Sequence, residues 1–193
     1  MSHARSPPLP ALWLFTDPVR TPDPLALLDR LPRGSAVVYR HFGAADRATT
    51  AARLAAACRR RGLVLLIGAD PALALRAGAD GVHLPERMGR DAGRLKRRRP
   101  GWIVTAAAHG GGAVHRARGA DAAILSPVFA SRSPSAGPPL GVHRAVRLMR
   151  RARTPVVALG GVSLRRARAL KRLGFAGSAG VDVFVRGAGA RRA

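Results

Sequence analysis

The sequence predicts an α/β chain folded as a single (β/α)8 TIM barrel, and three observations carry that prediction. Eight short apolar runs are spread along the 193 residues, with amphipathic, arginine-studded segments between them. The runs are apolar throughout rather than alternating, the pattern of parallel strands covered on both faces. Three helical segments close on glycine and enter the next run at once: "RAGADGVHL" (76–84), "ARGADAAIL" (117–125) and "RLGFAGSAGV" (172–181). A doubly wound open sheet is the alternative. No G-x-G-x-x-G fingerprint follows the first run, which counts against it.

The runs expected as strands are, in order, "ALWLF" (11–15), "AVVYR" (36–40), "LVLLI" (63–67), "GVHL" (81–84), "WIVTAAA" (102–108), "AAIL" (122–125), "PVVAL" (155–159) and "AGVDVF" (179–184). Between the second and third lies "ADRATTAARLAAACRRRG", in which Ala52, Leu54, Ala55 and Cys58 can share a buried helical face. Arg59, Arg60 and Arg61 stand at its carboxyl end, where cations suit the helix dipole. Gly78, Gly119 and Gly174 are expected as left-handed helix caps. These boundaries give an N-terminal extension over 1–10, the barrel over 11–185 and a disordered tail over 186–193.

Composition bounds the function. A hydrophobic share of 47% is that of a globular chain. The lone Cys58 excludes an internal disulfide and a multi-cysteine metal site, and fits a reducing compartment. No run of eighteen apolar residues exists, so no membrane partner is expected. "MSHARSPPLPALWLF" is too short in its apolar part for a secretory signal, and the expected location is cytoplasmic. The formal charge is +24, from 34 basic and 10 acidic residues; Lys96 and Lys171 are the only lysines and Glu86 the only glutamate. Arginine on outer helices can hold RNA by its phosphates. The Ala and Gly richness points instead to the codon usage of a GC-rich genome. Aromatics are only 4%, few for stacking on bases. The expectation is a diffuse, solvated charge with no specific nucleic-acid partner.

In a barrel of this kind, chemistry sits at the carboxyl ends of the strands. That rule selects Arg40 and His41 after strand two, Asp70 after strand three, and His83, Pro85 and Glu86 at strand four. His109 stands before three glycines after strand five. A long loop, "SPVFASRSPSAGPPLG" (126–141), follows strand six and carries Ser131 and Ser133. Neither serine has a neighbouring His–Asp pair, so anion binding suits them better than nucleophilic attack. Gly160 and Gly161 follow strand seven and precede a helix that Ser163 can cap. Glycines let a ligand approach the backbone, and the amides beyond them can hold a phosphate between strands seven and eight, where Val181 emerges. His83 reads as a core residue hydrogen-bonded to backbone. His3, His41, His115 and His143 lack metal-ligand spacing.

"LWLFTDP" (12–18), "GADGVHL" (78–84), "GADAAILSPVFASRSPSAGPPLG" (119–141) and "TPVVALGGVS" (154–163) together resemble the thiamine-phosphate synthase and TenI-type thiazole tautomerase family, over about residues 11–184. The resemblance implies the same barrel. It also implies a transferase reaction in thiamine biosynthesis, joining a pyrimidine pyrophosphate to a thiazole phosphate with loss of pyrophosphate, and assisted by Mg2+. Carried over position by position, Arg40 falls on the pyrophosphate-contacting arginine, and Phe42 replaces a lysine. Gly68-Ala69 replaces an Asn-Asp that serves the magnesium, with Asp70 one residue on. The second aspartate has no counterpart after "GVHL", where Glu86 and Asp91 lie nearest. Ala107 replaces a serine two residues before His109. Ser131-Arg132-Ser133-Pro134 stands for Thr-x-Thr-Lys, Gly160-Gly161 matches the thiazole-phosphate turn, and Asp182 replaces a serine. The tautomerase's histidine base falls on Pro127.

The expectation is therefore a thiamine-phosphate-synthase-like barrel with impaired or altered activity. Its small-molecule ligand is a phosphorylated thiazole or pyrimidine. Arg40 and Ser133 are the catalytic candidates, with Arg40, His109, Ser131, Ser133, Gly160, Gly161 and Val181 on the substrate. No residue is assigned to metal. A non-catalytic phosphate-binding barrel is the alternative, and an arginine-rich RNA-associated protein the third reading.

Overall fold

Eight parallel strands close into a barrel in strict sequence order, with β1 (Leu12–Phe15) hydrogen-bonded to both β2 and β8. The others are β2 (Ala36–Tyr39), β3 (Val64–Gly68), β4 (Gly81–Leu84), β5 (Ile103–Ala108), β6 (Ala122–Leu125), β7 (Val156–Leu159) and β8 (Gly177–Gly180). This computed structural model describes residues 8–131, 133 and 137–181. Arg132, Pro134, Asp182 and the predicted tail lie outside them, as do residues 1–7 of the predicted extension.

Among the described residues six α-helices cover the barrel: α1 (Arg47–Arg61), α2 (Pro71–Ala77), α3 (Ala92–Arg98), α4 (Gly111–Arg116), α5 (Val142–Arg150) and α6 (Leu164–Arg172). A short 3-10 turn, Leu25–Arg30, takes the first helix position. Alternation along each strand divides the apolar residues into two cores. Trp13, Phe15, Val38, Leu66, Ile124 and Val157 are among those that fill the barrel itself. Leu14, Val37, Leu65 and Leu54 of α1 pack between barrel and helices on one side, and Val82, Val104, Leu125 and Leu170 of α6 do so on the other.

Seven of the eight strands fall within one residue or so of the apolar runs. The eighth does not: it runs over "GSAG" at Gly177–Gly180, beginning two residues before the predicted run 179–184, of which 182–184 lie outside the described residues. The reason is Trp13, fully buried in the barrel, whose Nε1 donates to the Pro10 carbonyl at 2.6 Å. A Cβ on Gly177 would stand 3.1 Å from that Nε1. The Pro10 and Ala11 carbonyls stand as close, at 3.0 Å, so the segment around Trp13 leaves no room for a side chain at Gly177, and glycine carries no hydrophobic signal. Two further expectations change. In α1 the buried face takes Ala51 rather than Ala52, which is exposed. Gly78 and Gly174 have positive φ as expected, but Gly119 does not. Gly119 is needed for contact, because a Cβ there would lie 2.7 Å from the Gly93 amide.

Candidate active site

Because all eight strands are parallel, the residues that follow them emerge together, and Arg40, His109, Ser131, Gly160, Gly161 and Val181 all open on the carboxyl end. Arg40 is fixed there by the first strand. Its amide donates to Thr16 Oγ1 at 3.0 Å, its Nε donates to the Thr16 carbonyl at 2.9 Å, and its guanidinium lies 5.3 Å from the Phe15 ring centre. Burial lowers its pKa, only partly offset by Asp17. Among the described residues Arg40 forms no ion pair. Its two terminal nitrogens thus meet no described carboxylate at ion-pair distance.

His83 lies beneath. Its Nδ1 meets Thr105 Oγ1 at 2.9 Å and its ring stands edge-on to Phe15. The expected backbone partner is thus a side chain instead. Burial, with the charges of Arg40 and His109 adding to it, holds its pKa at about 3. His83 is a neutral imidazole at any ordinary pH, and a residue on which both Arg40 and His109 act electrostatically.

Glu86 and His109 are partners. β4 and β5 are neighbours, so the residues just beyond them sit side by side. Glu86 Oε2 accepts from the His109 amide at 3.1 Å and lies 2.7 Å from its Nδ1; Oε1 accepts from Arg116 of α4 at 2.6 Å. Burial opposes ionisation of Glu86, but the hydrogen bonds from His109 and the charge of Arg116 outweigh it and depress the pKa. An ionised Glu86 takes the proton on Nδ1, leaving Nε2 as the nitrogen that faces outward. Sequence reasoning noted Glu86 and His109 separately and missed Arg116. Strand adjacency was the available signal.

Magnesium is implied by the family resemblance, and the carboxylates near the mouth do not fit it. Asp70 Oδ1 caps α2 by accepting from the Leu73 amide at 2.8 Å, while Oδ2 pairs with Arg47 at 3.1 Å. Arg47 also donates to the Gly68 carbonyl at 2.8 Å and covers the Phe42 ring. The Asp70 carboxylate is thus spent on a helix terminus and a guanidinium. Glu86 is spent on His109 and Arg116. Among the described residues, no three His, Cys, Asp or Glu side chains come together as a metal site. The turn after β3 passes through Ala69, at φ 59°, a left-handed conformation uncommon outside glycine.

The loop after β6 rests on the turn after β7. Val128 and Phe129 amides donate to the Leu159 and Gly160 carbonyls at 2.9 and 3.1 Å. Gly160 and Gly161 have φ of 97° and 59°, and a Cβ on Gly161 would lie 2.3 Å from the Ala130 carbonyl oxygen. Both glycines are therefore demanded twice, by conformation and by contact. Beyond them the Ser163 hydroxyl caps α6 by accepting from the Arg166 amide. Arg166 itself reaches back, donating to the Gly161 carbonyl at 2.6 Å and stacking 4.3 Å over Phe129. The amides of Gly161, Val162 and Ser163 donate to no described residue. In the loop above, the Ser133 amide donates to Ser131 Oγ at 3.2 Å, which fixes the two serines in one turn.

The model of the thiamine monophosphate synthase family matches residues 16–184 of this chain. A bifunctional thiamine-biosynthesis protein of Symbiobacterium thermophilum is 36% identical over 138 residues, 70% of this chain and 29% of that protein. A putative thiamine-phosphate synthase of Aquifex aeolicus is 34% identical, over 63% of this chain and 66% of its own length. The thiamine-phosphate synthase of Thiobacillus denitrificans is 37% identical, over 70% and 67%. The first two relatives are thus matched over less than two thirds of their length. Among solved structures, thiamine phosphate pyrophosphorylase of Pyrococcus furiosus superposes with a TM-score of 0.75, at 23% identity, over 90% of this chain and 86% of that one, which supports the shared barrel. With the family match covering nearly every described strand, the chain belongs to the thiamine monophosphate synthase family.

Proposed function

We propose that this chain binds a phosphorylated thiazole at the β7–β8 side of the mouth and has kept the monophosphate half of its family's site while losing the metal-assisted half. The observation that carries the reading is the row of three amides at Gly161, Val162 and Ser163, which donate to no described residue and lie at the start of α6. An anion satisfies donors of this kind, and the helix dipole adds to the attraction. Ser131 and Ser133 stand in the loop packed on that turn and supply hydroxyls to the same phosphate. Val181, 8% exposed at the end of β8, gives the ring an apolar wall. None of these groups depends on the lysines or carboxylates that the chain lacks.

Calorimetry with thiazole phosphate tests the reading. Saturable binding is expected for the unmodified protein, and Gly161→Asp should abolish it by placing bulk and negative charge in the turn. No detectable heat at millimolar ligand would end the proposal.

A second reading, residual synthase activity, is favoured by Arg40, which follows β2 at the carboxyl end of the barrel and forms no ion pair among the described residues. It can hold one charge of a departing pyrophosphate, with His109 across the mouth as a second polar contact. Ala69 stands where the resemblance places one metal aspartate, the second has no counterpart, the nearby Glu86 is engaged by His109 and Arg116, and Phe42 holds no charge. Each lost electrostatic donor typically costs on the order of 100- to 1000-fold in rate, so turnover is expected to be slow.

A further inference from the structure

The charge of this chain is unevenly divided, and the division follows the fold. Nine of its ten acidic residues fall at or before Asp121, and the tenth is Asp182. Residues 122–181, which build β6 to β8 with α5 and α6, contain no Asp or Glu at all. Codon usage favouring arginine would spread arginine everywhere, and it would not remove acids from one side of a barrel. Elsewhere the acids meet arginine or lysine: Asp29 with Arg61, Asp70 with Arg47, Glu86 with Arg116, Asp121 with Lys96. On this side no described acid answers the cations.

Those cations form two rows. Arg144, Arg147 and Arg151 follow one another at spacings of three and four along α5 and its cap, and Arg165, Arg168 and Arg172 do the same along α6. All six are exposed, and none is ion-paired among the described residues. Each row is about 10 Å long at a rise of roughly 1.5 Å per residue. The helices are neighbours: a Cβ on Gly174, just past α6, would stand 3.3 Å from the Met149 methyl of α5. Packed helices lie about 8–10 Å apart. Like charges at these spacings repel along a helix, and arginine in place of lysine offers a planar fork suited to phosphate.

We propose that the α5–α6 face docks the phosphate backbone of a nucleic-acid duplex, independently of sequence. A duplex fits better than a single strand because the face has no stacking platform. The one aromatic residue among residues 141–181 is Phe175, and it is buried. Single-strand binders combine charge with exposed aromatics; this surface has charge alone. The rows run along the outer helices α5 and α6, whereas the phosphate turn lies at residues 161–163.

The test is fluorescence anisotropy of the full chain with a labelled 20-base-pair DNA duplex of mixed sequence. About four to six phosphate contacts predict a log–log salt slope near −4 to −5, or roughly a 200- to 1000-fold loss of affinity between 50 and 200 mM salt. The variant Arg147→Gln, Arg151→Gln, Arg168→Gln, Arg172→Gln should bind at least about 30-fold more weakly at 50 mM and flatten the slope. Arg53→Gln, Arg60→Gln, Arg97→Gln, Arg98→Gln, which removes as much charge from exposed positions of α1 and α3, should stay within about threefold of the parent. Equal losses in the two variants overturn the proposal, because the charge then acts only as a whole. So does tighter binding of a single strand with the same number of phosphates, or binding to vesicles of anionic lipid without binding to the duplex. Should the first variant fail to fold, the parent's own salt slope decides, and a slope shallower than about −2 rejects a multi-phosphate contact.

Discussion

Replacing Gly161 by alanine separates two demands that the β7 turn makes on that residue. The first is conformational: at φ 59° an L-residue pays about 1–2 kcal/mol for the left-handed region. The second is steric. The new Cβ would stand 2.3 Å from the Ala130 carbonyl oxygen and 2.8 Å from the Phe129 Cβ. The loop must retreat by about 1 Å to restore ordinary contact, and such overpacking typically costs a further ~1–3 kcal/mol. Gly34 isolates the first demand, having φ 78° and no atom within 4 Å of where a methyl would stand. Gly34→Ala should therefore lose about 1–2 kcal/mol, and Gly161→Ala roughly 2–5 kcal/mol by the two costs together. Only the second should move Ser131 and Ser133 away from the amides of Gly161 to Ser163. One lost hydrogen bond to a charged ligand is worth about 1.5–3 kcal/mol, so thiazole phosphate should bind roughly 10- to 100-fold more weakly. Urea unfolding measures the stabilities and calorimetry the affinity. The reasoning fails if the two variants are equally stable, or if Gly161→Ala binds the ligand as the parent does.

Three other perturbations have definite expected outcomes. Glu86→Gln should lower the melting temperature at pH 7 and lose that effect progressively in acid; a folded-state pKa held below its ordinary value contributes stability above about pH 4.3, lost as the pH falls through the depressed value, and a pH-independent difference would contradict it. Ala69→Gly should raise stability by roughly 0.5–1 kcal/mol in urea unfolding by relieving the left-handed backbone; a loss would mean the turn tolerates alanine without strain. The Cys58 thiol, buried with its pKa pushed up to about 12 chiefly by desolvation, should react with a disulfide reagent only at the rate of unfolding, and prompt labelling of the native protein would show that α1 opens.

Strand count and helix caps were legible because they rest on local chemistry. Continuous apolar runs marked seven strands, and Gly78 and Ser163 stood where a cap must stand. What escaped depended on partners distant in sequence. The start of β8 was hidden because Pro10, Ala11 and Trp13, at the other end of the chain, leave no room for a side chain at Gly177. Gly119 looked like a cap and is instead a contact point for Gly93. At the mouth, the positions of Arg40, His109 and the glycine pair followed from strand order alone. The engagement of Asp70 by Arg47 and of Glu86 by Arg116 did not, since an aspartate one residue from a family position reads the same whether free or paired. The loop that carries Ser131 and Ser133 also finds its explanation across the barrel, in the hydrogen bonds that seat it on the Leu159 and Gly160 carbonyls.

The central claim is that the phosphate half of the site survives and the metal-assisted half does not. Formation of thiamine phosphate from the pyrimidine pyrophosphate and thiazole phosphate, followed in excess magnesium beside an intact family synthase, tests it most directly. With Ala69, Phe42 and the engaged Glu86 at the diphosphate end, the account predicts turnover at least about 100-fold slower. Turnover within tenfold of the intact enzyme would contradict it, and would mean that Asp70 or Glu86 leaves its arginine to serve the metal.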